Sequence, residues 1–137
     1  MTTTNAATVL ALEAKVGSIA PGMMADLVVV SQTSSDPYAS IVAATPADVR
    51  LTMVGGSILY GDAQLSAAAP QSPGCEAFDA CGTAKFLCVA TTSTTDKLDE
   101  SYAQIHAALD AAMTDVDSLT PSDGYSFAPV APISKCP

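Results

Sequence analysis

Tryptophan is absent from the 137 residues, which hold three Phe and four Tyr. Leu, Ile, Val, Met and Phe together supply 34 residues, a thin stock of bulky core for the single domain that this length predicts. Small residues fill the chain instead: 25 Ala, and 28 Ser plus Thr. Cationic side chains are also scarce. Five Lys and Arg stand against 14 Asp and Glu, for a net charge of −9. That balance excludes nucleic acid as a partner, because phosphate binding needs clustered cations, and it argues against an anionic membrane surface. No apolar run reaches the length of a bilayer-spanning helix, so no membrane-spanning segment is expected. The opening Met1-Thr2-Thr3-Thr4-Asn5 lacks the basic start and apolar stretch of a signal peptide.

Histidine occurs once, as His106, and cysteine is missing from the first half of the chain. Cys75, Cys81, Cys88 and Cys136 are four, which permits two disulfides in three connectivities. Disulfides belong to oxidising compartments, so cysteine usage points to an extracytoplasmic, periplasmic or secreted, setting, although no export signal opens the chain. Zinc is an alternative that the spacing opposes: structural sites use a Cys pair two to four residues apart, and these are farther apart. Free buried thiols are a third reading, and Cys88, inside an apolar run, suits a buried place. A Cys nucleophile with His106 as base lacks a third, orienting group. The carboxylates near residues 96–100 read as helix-capping groups, and Asp115-Val116-Asp117 lacks the Gly and distal Glu of a calcium loop. No catalytic, cofactor-binding or metal-ligating residue is assigned.

Along the chain, residues 2–14 read as a short helix with Ala6, Val9, Leu10 and Ala14 near one face and Gly17 as its stop. Pro21-Gly22 reads as a turn. Leu27–Val30 reads as a strand apolar on both faces, and so covered on both. Residues 31–46, broken by Asp36-Pro37 and Thr45-Pro46, read as mostly loop. Residues 49–54 and 57–60, joined by Gly55-Gly56, predict a tight hairpin. Residues 63–74, rich in Ala and Pro, read as a linker. Phe86–Val89 suggests a strand. Leu98, Tyr102, Ile105, Leu109, Ala112, Val116 and Leu119 recur at alternating spacings of four and three, which predicts an amphipathic helix over 96–118 with Asp96 as cap and Pro121 and Gly124 as stops. The tail holds three Pro and reads as extended.

Three stretches together resemble a known family. They are Met1-Thr2-Thr3-Thr4-Asn5-Ala6-Ala7, then Val16-Gly17-Ser18-Ile19-Ala20-Pro21-Gly22-Met23-Met24-Ala25-Asp26-Leu27-Val28-Val29-Val30, then Met53–Asp62. Their order and spacing are similar to the C-terminal end of the metal-dependent amidohydrolase superfamily. Ala11 stands where the family often has Gly, Met23-Met24 where a Lys is usual, and Thr52 where Val is usual. Residues 63–137 lie outside the resemblance.

The resemblance implies an α+β fold: residues 1–14 as the helix following a (β/α)8 barrel, and residues 15–62 as the C-terminal part of a composite β-sandwich. After a linker at 63–74, residues 75–137 form a cysteine-containing extension with one long amphipathic helix. In the family the barrel carries a divalent metal, commonly zinc, on an H-x-H pair, further histidines, often a carboxylated lysine, and an Asp. None of these motifs occurs here, so no cofactor is expected in this chain. The reading is the C-terminal structural portion of a hydrolase acting on C–N bonds of non-peptide amides or amidines, inactive alone, with the N-terminal barrel portion or a second copy as partner. A disulfide-stapled secreted domain that binds a partner through the 96–118 helix is the alternative.

Overall fold

The computed structural model describes residues 3–70, 74–89, 100–119, 126–130 and 136. Helix α1 (Thr4–Val9) is followed by strand β1 (Leu27–Val30), helix α2 (Pro37–Ala43), strands β2 (Val49–Val54), β3 (Ser57–Asp62), β4 (Cys75–Ala80) and β5 (Thr83–Cys88), and helix α3 (Tyr102–Leu119). Among the described residues the five strands form one antiparallel sheet in the order β1-β2-β3-β5-β4. The class is α+β, as expected.

The first helix is shorter than residues 2–14 and ends before Gly17. Its end is set by Ala11, whose φ of 55° lies in the left-handed region. Leu12 N donates to Ala7 O at 2.8 Å and Ala11 N to Thr8 O at 3.1 Å, the two bonds of a Schellman cap. Glycine serves that position best because it has no Cβ to clash. A Gly at Ala11, usual in the family that the sequence resembles, would have this backbone reason.

Residues 31–46 are not mostly loop. Asp36-Pro37, read as a break, starts α2: Asp36 Oδ1 accepts from Tyr38 N at 2.9 Å, and Pro37 takes the first helical position, where its missing N–H costs nothing. Buried Ser40 closes the approach loop, its Oγ accepting from Thr33 N and Ser34 N. Thr45-Pro46 likewise opens a 3-10 turn (Pro46–Asp48) in which Asp48 Oδ2 accepts from both Thr45 N and Thr45 Oγ1.

The β2–β3 hairpin forms as predicted. Gly55 and Gly56 carry φ of 56° and 85°, the signs a type I′ turn requires at both central residues. Asp26 Oδ1 accepts from Gly55 N and Ala25 O from Gly56 N, which fixes the hairpin tip to the approach to β1.

The stretch read as a linker holds a 3-10 helix (Ala63–Ala68) and the buried Ala69, and the cysteine segment joins the same sheet. Tyr60, Gly61 and Asp62 of β3 pair with Leu87, Phe86 and Lys85 of β5. The small core sits at this junction, where Ala69, Phe86 and Cys88 pack with Ile58, Leu59 and Cys75. Gly61 lets Phe86 lie on β3: a Cβ there would meet the ring at 3.1 Å and Arg50 O at 3.2 Å.

Two further expectations change. Leu27–Val30 is a strand, but Val28 is 63 % exposed, because β1 is an edge strand and no described layer covers it. In α3 the half-buried side is Tyr102, Ile105, His106, Asp110, Met113 and Asp117, while Leu109, Val116 and Leu119 are exposed. The expected helix start, with Asp96, Leu98 and Asp99, and the stops at Pro121 and Gly124 lie outside the described residues, as does Thr91–Thr95.

Replacing Ala11 by Gly should raise stability by about 1 kcal/mol, by relieving the left-handed Cβ clash. An unchanged or lower urea midpoint for Ala11→Gly would contradict this cap.

Candidate functional site

Polar chemistry concentrates at the β3–β5 junction. The Lys85 side chain has no solvent exposure. Its Nζ donates to Asp62 Oδ1 at 2.6 Å and to Val49 O at 2.8 Å, and lies 5.9 Å from the Tyr60 ring centre. Arg50 Nε donates to the other oxygen, Asp62 Oδ2. The hydrogen bond from Lys85, aided by Arg50, holds the Asp62 carboxyl below its ordinary range. Burial, then the charge of Asp62, pushes the Tyr60 phenol up, and Tyr60 Oη donates to Pro46 O at 2.7 Å. The cluster is a closed set of donors and acceptors: the Lys85 amine is buried and bonded to a carboxylate, so it is not presented to a substrate as nucleophile or base.

A second polar set runs along α3. Ser101 and Gln104 form a reciprocal capping box, Gln104 Oε1 accepting from Ser101 N and Ser101 Oγ from Gln104 N. Glu76 Oε1 of β4 accepts from Tyr102 N at 2.6 Å, and the Phe78 and Tyr102 rings meet edge-on at 5.4 Å. The S-x-x-Q signal at 101–104 was available in the sequence and was missed. Farther along, Asp117 accepts from Ser126 Oγ, Phe127 N and Ala128 N, and Asp110 Oδ1 accepts from Val130 N at 2.7 Å. Residues 126–130 are thereby strapped along the helix. The backbone bonds from Phe127 and Ala128 hold the Asp117 carboxyl below its ordinary range. His106 Nδ1 lies 3.0 Å from Asp110 Oδ2, one turn on.

The cysteines pair as Cys75–Cys88 and Cys81–Cys136. The first joins residues directly opposite each other on β4 and β5, and the second ties the β4–β5 turn to the tail. With no free cysteine among the described residues, the Cys–His nucleophile reading has no thiol to work with. The donor set does not fit the family's metal either. The cysteines are consumed, the lone His106 is paired to Asp110, and Asp62 and Asp117 are saturated by donors. Among the described residues no group of three or more His, Cys, Asp or Glu is placed to hold a metal ion.

What remains open is apolar. A groove of about 440 Å³ runs between α1 and the approach to β1, lined by Ala7, Leu10, Leu12, Val16, Ile19 and Val28 among others. A smaller one of about 180 Å³ lies between β1 and α2, bounded by Val28, Val30, Pro37 and Ile41. Ile19, in the lining of the larger groove, is 90 % exposed; Val9 of α1 is 84 % exposed and Val42 of α2 88 %. The candidate site is this face of α1, β1 and α2.

Lys85→Ala should destabilise the fold by about 3 kcal/mol, because it strips the buried partner from Asp62. Asp48, Asp62 and Asp117 are all held below the ordinary carboxylate value of 3.8. Their stabilisation is therefore complete above that value and is lost as the pH falls through their folded values. Urea titrations from pH 7 downward should show flat stability to about pH 4 and a fall below it, shallower in Asp62→Asn. A profile indifferent to acid in the wild type would refute these bonded carboxylates.

Residues 1–59 match the model of the amidohydrolase family. No curated protein and no solved structure matches the chain. The match falls on the segment whose motifs carry the resemblance, and it is consistent with residues 1–59 being a segment of the amidohydrolase superfamily.

Proposed function

We propose that this chain is the C-terminal structural portion of an amidohydrolase-like, metal-dependent enzyme that hydrolyses C–N bonds of non-peptide amides or amidines. One observation carries the reading: the open apolar face of α1, β1 and α2 is built from the residues that match the family. In this reading α1 braces the barrel and residues 15–62 supply their share of a composite sandwich. The metal, which would activate water for attack on the C–N carbon, and its ligands belong to the barrel portion. This chain contributes docking surface and no reacting group. The extension from 75 onward stiffens the sheet on its far side, and its two disulfides support an extracytoplasmic setting.

The test is the size of the native polypeptide in its source, read on a denaturing, reducing gel with an antibody to α3. A band several-fold above 13.8 kDa is expected. A band at 13.8 kDa, or metal-dependent amide hydrolysis by the purified 137-residue chain, would sink the proposal.

A second reading rests on α3, where Leu109, Val116 and Leu119 form an exposed apolar line. In it the chain is a self-standing, disulfide-stapled domain that associates through that line. Concentration-dependent self-association abolished by Leu109→Asp would favour it over the first.

A further inference from the structure

The two disulfides differ in what they hold and in how solvent reaches them. Cys75–Cys88 lies within the sheet, between two paired strands, and Cys88 is 2 % exposed. Cys81 is half-buried at a turn and Cys136 is exposed. Their bond spans 55 positions and attaches the tail, not a strand, to the sheet. Helix α3 meets the sheet through its first turn, where Glu76 caps Tyr102 and Phe78 abuts its ring. Toward its other end α3 carries the strap of 126–130 on Asp110 and Asp117. The Cys81–Cys136 bond returns the chain beyond that strap to the β4–β5 turn. The helix is thus hinged at Tyr102 and tied, through the strap, by one solvent-reachable bond.

We infer that Cys81–Cys136 is a reducible latch: a dithiol opens it, releases the strap on α3 from its tie to the sheet, and leaves Cys75–Cys88, the sheet and the Tyr102 contacts intact. The inference does not depend on the hydrolase reading. In the exchange a thiolate of the dithiol attacks the Sγ of Cys136, an exposed residue, and Cys81 leaves as a thiolate that takes up a proton. The second thiol of the reductant then displaces Cys136, which takes up the other proton. The dithiol ends as a disulfide and the protein as two thiols, a balanced two-electron transfer. Once the bond is open, the strap is held by hydrogen bonds to two aspartates on the half-buried side of α3. Individually these are weak enough to open locally.

The experiment is a graded dithiothreitol titration of the full chain. Alkylation and peptide mapping assign each pair, and amide hydrogen exchange reads the strap. Cys81–Cys136 should open at about ten-fold lower reductant than Cys75–Cys88. The amides of Phe127, Ala128 and Val130 should then exchange at least about ten-fold faster, while those of β3 and β5 keep their protection. Opening of both pairs in one unfolding transition would overturn the latch, as would a strap that keeps its protection after Cys81–Cys136 is reduced. The double variant Cys81→Ser, Cys136→Ser should keep the sheet and show the unprotected strap without reductant. A variant that fails to fold would also overturn the proposal, since a bond the sheet requires is a staple and not a latch.

Discussion

An ammonium without solvent contact sits between β5 and β3, and the arrangement of the sheet follows from how it is satisfied. Lys85 donates to Asp62 on its pairing partner and to the Val49 carbonyl at the start of β2, while Arg50 of β2 takes the second oxygen of Asp62. Three strands therefore share one charge network. Slipping β5 by one residue would turn Lys85 to the opposite face and leave Asp62 with half its partners. Ion pairs of this kind add little net stability compared with apolar packing, but breaking one is costly, so they select register more than they add strength. The network also crosses the limit of the family match. Arg50 and Val49 lie within residues 1–59, and Lys85 lies well outside them.

The two flanks of the sheet differ in character. Beyond β3, the β4–β5 hairpin closes the sheet with a disulfide, a small core and a capped helix. Beyond β2, β1 presents Val28 and Val29 to solvent, with apolar grooves alongside. This edge strand has no charge or proline to keep it from pairing; its protection is its four-residue length and the register shift at Val29/Val30. The first flank is closed by packing and a disulfide, and the second leaves apolar side chains exposed.

Legibility in the sequence depended on how local the cause was. Gly55-Gly56 declared its hairpin because a two-residue turn of that type asks for positive φ at both sites. The motifs of the first 62 residues announced their family, and the family model agrees over 1–59. Asp36-Pro37 misled because the same dipeptide breaks one helix and begins the next. Which it does here depends on Ser40 being buried to close the loop before it. The residues at 63–74 read as a linker because Ala and Pro lack pattern, yet Ala69 is buried beside Phe86, a contact between positions far apart in sequence. The α3 stripe was legible as a helix and misleading as a face. Asp110 and Asp117 turn inward because the strap's amide groups need acceptors, and an apolar count does not register that need.

By itself, then, the sequence determined the family resemblance of the first segment, the central hairpin, the presence of the last helix, the acidic charge balance and the lack of the family's metal-binding motifs. Each of these is written in residues near one another or in totals. Tertiary structure alone decided which cysteines pair, that β3 and β5 lie side by side, that Lys85 is buried, and which face is left apolar and open. Those outcomes depend on contacts between distant positions, where the energy belongs to the pair and neither residue carries a local mark of it.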